Sequence, residues 1–425
     1  MQIHVVQPGQ SLWTIAKGYG LTPQTIIAAN ELQNAESMVP GQALVIPLVG
    51  QYHWVQPGES IWQIAKRYGI PTDRLLAINR IADPRQVPVG LRLYIPPGRR
   101  PSLESNAYIE PKGQAAEGTA MAEVSPSLTY ATMFPYRLSR AGDVMPLRDE
   151  YARQGALSGG AAPMMGLTNI EQDQFSTELG EAILGSEELQ NTVLTNVLTV
   201  MRDKGFRALN IDFEHLHPKD REAYNNFLRK AAQRMHEAGY LLSTALAPKV
   251  SGEQVGEWYE AHDYPSHGEI ADFSVLMTYE WGWSGGPPMA VAPIDQVERV
   301  IRYATSVMPA KKIMMGVPLY GYDWTLPYVE GGPFAKVVSP QDAIALAIRR
   351  GVDIQYDAKS QSPFFHYWDE AGKEHVVWFE DARSIQAKFD LVKRYGLRGV
   401  SYWKLPLEFP QNWLLLTDNF TVKQL

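Results

Sequence analysis

The chain has 425 residues, enough for two or three domains. Hydrophobic residues make up 45% and charged residues 20%, an ordinary globular balance, and a net charge of −7 argues against nucleic acid as the main partner. The absence of cysteine excludes disulfides, zinc–thiolate sites and a catalytic thiol, and no stretch approaches the ~18 apolar residues of a membrane helix.

Met1-Gln2-Ile3-His4-Val5 runs straight into folded-looking sequence, with neither a basic n-region nor an apolar h-region. No secretory signal is therefore expected. The first hundred residues are an internal repeat. The segment from His4 to Trp13 returns 49 residues on, from His53 to Trp62, and the offset holds at Asn30 and Asn79, Gly41 and Gly90, and Pro47 and Pro96. A fixed offset means two copies of one small module, expected at 1–48 and 50–97. Each copy reads as strand, helix, helix, strand. Ser11 and Ser60 stand where a helix cap is needed, and taken alone they read as caps.

This pattern resembles the LysM module, which binds N-acetylglucosamine-containing glycans. In that family the sugar lies between the first strand–helix loop and the second helix–strand loop. The resemblance implies glycan contacts at Gly9, Gln10, Ser11 and Leu12, and at Gly58, Glu59, Ser60 and Ile61.

Residues 98–103 read as a linker rich in proline, glycine and arginine. The rest, 104–425, alternates strands and helices, an α/β pattern with a parallel sheet. Strands are expected near 106–109, 128–134, 161–166, 208–213, 241–247, 273–277, 313–317 and 399–403. Eight is the count of a TIM (β/α)8 barrel. The helix after the fourth strand carries an apolar stripe of Tyr224, Phe227, Leu228, Ala231 and Met235. The span of about 324–380 is too long for one loop. Its aromatic runs flank a turn at Glu370-Ala371-Gly372, which predicts a small α+β insertion between strands seven and eight.

The most telling segment is Leu209-Asn210-Ile211-Asp212-Phe213-Glu214. Period-2 alternation puts Asn210, Asp212 and Glu214 on one face and the apolar residues on the other. Two carboxylates on one face of a buried strand are costly unless a site uses them, and paired carboxylates break glycosidic bonds. In a barrel the active site lies at the C-terminal ends of the strands, where this pair falls.

Residues 207–214 resemble the D-G-x-D-x-D-x-E signature of family 18 glycoside hydrolases, the chitinase-like enzymes. Met277-Thr278-Tyr279 resembles that family's sixth-strand motif, and Trp403 stands where the family keeps a tryptophan under the scissile sugar. The resemblance implies that Glu214 is the general acid and that Asp212 holds the substrate acetamido group. It implies that Tyr279 aims that group and that the substrate supplies its own nucleophile. No metal or other cofactor is implied. Arg207-Ala208 and Asn210 depart from the signature, and Glu280 follows Tyr279 where chitinases commonly have Asp. Asn210 is expected to hydrogen-bond Asp212 without being able to share its proton. Trp403, Trp281 and Tyr320 are expected sugar contacts, with Glu110 facing the cleft. His215 and His217 could suggest a metal, but a solvated rim is favoured.

Two LysM modules ahead of such a barrel resemble spore cortex-lytic N-acetylglucosaminidases. The implied partner is peptidoglycan, with neither nucleic acid nor membrane involved. The chain is expected to act as a monomer, made in the mother cell and deposited near the spore coat. The competing readings are a chitinase and a non-catalytic glycan-binding coat protein.

Overall fold

Strand alternation organises the larger part of the chain. The structure, a computed structural model, describes residues 1–33, 37–85, 87–256 and 258–425. Eight strands form the barrel: β1 (Ser102–Ile109), β2 (Tyr130–Arg137), β3 (Ala162–Thr168), β4 (Ala208–Asp212), β5 (Leu241–Leu246), β6 (Phe273–Leu276), β7 (Ile313–Pro318) and β8 (Gly399–Leu405). Each pairs in parallel with the next, and β8 pairs with β1 to close the ring. The expected eight-stranded barrel is therefore present.

On β4 the period-2 pattern does its sorting as expected. Leu209 and Ile211, with Phe213 just beyond, face the surrounding helices. Ala208 faces inward with Tyr108, Tyr130, Met164, Phe273 and Met314. The helix Arg221–Glu237 buries Tyr224, Phe227, Leu228, Ala231 and Met235. Phe213 stacks on Tyr224 and Phe227, with ring centroids 6.0 and 5.8 Å apart. This packing holds the exit of β4 rigid.

β1 begins inside the stretch read as linker. Ser102 and Leu103 pair with Thr421 and Val422 at the far end of the chain. Local composition carries no sign of such a distant partner. Between β7 and β8 lies a five-stranded antiparallel sheet with the helix Pro340–Arg350. It starts at Gly321, slightly earlier than expected. The two aromatic runs form the expected hairpin, in which Trp368 faces Glu374.

Each repeat is a two-stranded sheet with two helices. The first has strands Gln2–Val5 and Ala43–Ile46 around helices Leu12–Tyr19 and Pro23–Asn30. The second has strands Gln51–Trp54 and Arg92–Ile95 around helices Ile61–Arg67 and Thr72–Ile78. Ser11 and Ser60 cap their helices, accepting from the Thr14 and Gln63 N–H groups. Four of the eight expected glycan contacts turn inward. Leu12 and Ile61, at 4% and 3% exposure, fill the module cores, because the first helical residue lies on the packed side. The Gln10 Oε1 accepts from the Gln7 N–H at 2.9 Å and lies 2.9 Å from the His4 Nε2. The Glu59 Oε2 accepts from the Gln56 N–H at 3.0 Å and pairs with the His53 Nε2 at 2.7 Å. Both side chains brace their own loop. Gly9, Gly58, Ser11 and Ser60 remain exposed.

The first repeat is docked on the barrel. The Arg383 guanidinium donates to the Gly41 carbonyl at 3.0 Å, and the Ile354 N–H donates to the Pro40 carbonyl at 2.9 Å. A Cβ on Gly41 would lie 1.8 Å from the Ile354 carbonyl oxygen, whereas one on the equivalent Gly90 would meet nothing within 4 Å. Both glycines have a positive φ, so Ala costs about 1–2 kcal/mol at either from backbone strain alone. Gly41→Ala is expected to lower the melting temperature by at least ~2 °C more than Gly90→Ala in differential scanning calorimetry. Equal losses would show that the docked arrangement is absent in solution.

Candidate active site

The functional end of β4 is built from the backbone outward. The Asn169 side chain, one residue past β3, clamps Glu214 at both backbone groups. Its Oδ1 accepts from the Glu214 N–H at 3.0 Å and its Nδ2 donates to the Glu214 carbonyl at 2.8 Å. The next carbonyl back, that of Phe213, is bonded to the His262 Nε2 at 2.9 Å. The His262 Nδ1 accepts from the Ala247 N–H, so the neutral ring carries its proton on Nε2 and donates it to Phe213. Burial holds the His262 pKa down at about 4, which keeps the ring neutral and the link intact near neutral pH. The exits of β3, β4 and β5 are thus tied together.

Two acids stand on this support. Glu214 is 8% exposed, and Asp212 is buried. Burial pushes the Glu214 carboxyl up to about 7, although the Trp258 indole N–H donates to its Oε2 and favours the anion. Burial, reinforced by the charge of Glu214, pushes Asp212 well above the usual carboxylate range. Its Oδ1 has no hydrogen-bond partner among the described residues. Like charges in a low-dielectric site resist joint ionisation, so the pair keeps at least one proton near neutral pH. It can deliver a proton and hold a negative charge at once.

Asn210 does not bond Asp212, contrary to expectation. Its Oδ1 accepts from the Tyr108 hydroxyl at 2.9 Å, and its Nδ2 donates to the Ser243 Oγ at 2.8 Å. The amide is spent on a bridge across the barrel interior from β1 to β5. Its neutrality leaves the acids as a pair rather than a triad.

Tyr279 follows β6, and its phenol is held up by burial and by Tyr108, Asp212, Glu214 and Glu280. It therefore lies within electrostatic reach of both acids. Gly316 on β7 makes room for it, since a Cβ there would come 2.8 Å from the Tyr279 ring and 2.5 Å from the Leu276 carbonyl oxygen. Trp403, at the end of β8, is half-buried against Tyr108 and Phe134, at 5.5 and 5.1 Å. The Lys404 Nζ lies 5.2 Å from the Trp403 ring centre and pairs with Glu110. Glu110 is thereby joined to the Trp403 corner. Trp281 is half-buried against the core, and its backbone N–H donates to the Val291 carbonyl.

Tyr320 is corrected from a sugar contact to a support. At 3% exposure its ring is packed away, and its hydroxyl donates to Glu280. Tyr322 donates to the same carboxylate at 3.0 Å. His215 stacks on Trp258 and His217 pairs weakly with Glu181. Asn169 and Trp258 escaped the sequence reading. Asn169 could have been found by its place just after β3. Trp258 sits in a long loop after β5, where no periodicity or motif marks it.

Residues 170–408 match the glycosyl hydrolases family 18, and residues 4–47 and 53–96 each match the LysM domain. The chain belongs to glycosyl hydrolase family 18. It is 56% identical to the cortical fragment-lytic enzyme of Bacillus subtilis (strain 168) over 99% of each chain. It is 49% identical to the cortical fragment-lytic enzyme of Bacillus cereus, again over 99% of each. The crystal structure of the Bacillus cereus spore cortex-lytic enzyme SleL superposes with a TM-score of 0.91 at 45% identity, covering 100% of this chain and 98% of that one. An enzyme that works through a protonated general acid loses rate as pH rises through the pKa of that acid.

Removing the Trp258 N–H removes a bond that favours the Glu214 anion. Trp258→Phe is therefore expected to move the basic limb of the pH–rate profile upward and to lower kcat on the order of tenfold through lost positioning. An unmoved limb would show that Trp258 does not set this acid. Asn210→Asp adds a third carboxylate and is expected to move the same limb upward by like-charge repulsion. An unchanged profile would deny Asn210 any part in the acidity of the site.

Proposed function

We propose that this chain hydrolyses the peptidoglycan of the spore cortex, cutting after N-acetylglucosamine in glycan that has already been fragmented. The reading is carried by the buried Asp212–Glu214 pair beside Tyr279, at the C-terminal end of β4. Relatives matched over 99% of both chains, named as cortical fragment-lytic enzymes, support the substrate. The LysM domains would hold the enzyme on the glycan, and the chain would act as a monomer at the spore coat and cortex.

Glu214, held protonated by burial, gives its proton to the glycosidic oxygen as the C–O bond breaks. No protein carboxylate forms a bond to the sugar. The substrate acetamido oxygen attacks the anomeric carbon and closes an oxazolinium ring. Asp212, the buried neighbour, accepts from the acetamido N–H; that bond and the growing positive charge favour its ionised form, which balances the charge. The Tyr279 hydroxyl holds the acetamido oxygen in line. Glu214, now a carboxylate, takes a proton from water as that water opens the ring. Two displacements on opposite faces return the original configuration.

Wild type and Glu214→Gln are to be incubated with purified cortex fragments and with chitin oligomers, and the new reducing ends identified. Wild type is expected to release ends in N-acetylglucosamine from cortex fragments. Glu214→Gln is expected to lose roughly 10²–10⁴-fold in rate. No cleavage of either substrate would overturn the enzymatic reading, and a clear preference for chitin would overturn the substrate.

A further inference from the structure

The two repeats share a fold but not a setting. In both, the segment between the second helix and the closing strand is laid beside the first loop by the same backbone bond. Gly41 donates to the Val6 carbonyl and Gly90 to the Val55 carbonyl, each at 2.8 Å. The residues around these two glycines lie in different surroundings.

In the first repeat this segment is covered by the barrel. Val39 packs with Ala343, Ile344, Ala347 and Ile354 of the insertion. Ala43 and Val45 belong to the main core. The Gln411 Nε2 donates to the Asn30 Oδ1 at 2.8 Å and to the Ala43 carbonyl at 3.0 Å, and the Gln341 Nε2 donates to the Asn30 and Glu31 carbonyls. Together with the Arg383 and Ile354 bonds to Gly41 and Pro40, this packs the catalytic part of the chain against Val39, Pro40 and Gly41. In the second repeat the equivalent positions are open. Pro88, Val89, Gly90 and Arg92 are exposed, Val89 at 61%. The sequence difference matches the setting: Ala43 and Val45, both small and apolar, stand where the second copy has Arg92 and Tyr94.

The second repeat is carried by the first. The Arg92 guanidinium donates to the Gly18 carbonyl at 2.9 Å and stacks on Tyr52. The Gln2 side chain bonds both backbone groups of Tyr52, at 2.9 and 3.1 Å. Tyr19 meets Trp54 edge-on at 5.8 Å.

We propose that the repeats have separate tasks: the first is a fixed adaptor built into the catalytic unit, and N-acetylglucosamine-containing glycan is gripped by the second, between the loops at Gln56–Ser60 and Val87–Gly90. The proposal rests on the glycan-binding reading of the LysM domains and adds which copy does the work. A pair of equal grips is replaced by one grip held at a set distance from the cleft.

The test is co-sedimentation of the full-length chain with insoluble purified peptidoglycan sacculi, in a Glu214→Gln background so that the glycan is not consumed. Pro57→Asp and Val89→Asp place a charge on the two loops of the second repeat. Pro8→Asp places it on the exposed first loop of the first repeat. Melting temperatures of all three, matched to the parent, establish that each is folded. Pro57→Asp and Val89→Asp are expected to raise the apparent Kd at least tenfold, and Pro8→Asp less than twofold. If Pro8→Asp weakens binding as much as Pro57→Asp, or if none of the three weakens it, the division of tasks is overturned. If the parent itself does not sediment, the glycan-binding reading beneath it fails as well.

Discussion

Everything at the catalytic end of this molecule depends on two carboxyl groups taken out of water side by side. Burial raises both, and each charge opposes the other. A surface pair of the same residues would be ionised at neutral pH and could donate no proton. The barrel supplies the burial by turning alternate residues of β4 inward. The cost of an isolated buried charge then becomes a proton held where it is needed.

The surrounding network serves that pair by fixing its backbone. Asn169 grips Glu214, His262 grips Phe213, and Asn210 spans from Tyr108 to Ser243 beneath them. None of these groups carries a charge near neutral pH, so they set direction without adding to the repulsion. Trp258 is the exception in kind, because it touches a carboxylate oxygen and shifts the balance of Glu214 toward the anion. Glu280 forms a separate acidic centre, satisfied by Tyr320 and Tyr322.

Much of this was legible in the chain itself. The alternation of Leu209 to Glu214, the eight strand signals and the aromatic hairpin of the insertion are local patterns with a fixed period. The repeat at 49 residues exposed the two modules directly. What stayed hidden depends on contacts distant in sequence. The pairing of Ser102 with Thr421 lengthened β1, and the Asn210 amide turned to β1 and β5 rather than along its own strand. Gln10 and Glu59 folded back on their loops, and Leu12 and Ile61 turned into their cores, because loop and helix geometry decide which way a motif residue points. The docking of the first repeat left one trace, the small apolar Ala43 and Val45 against Arg92 and Tyr94. That trace has meaning only once the barrel surface is in view.

In the proposed reaction the buried pair serves a nucleophile supplied by the substrate and leaves no covalent bond between sugar and protein. The most direct test is proton NMR of the first sugar released, recorded before mutarotation, alongside the same glycan with its acetyl groups removed. Retained anomeric configuration, with no cleavage of the deacetylated glycan, is the result predicted. An inverted product, or equal cleavage of the deacetylated glycan, would contradict it.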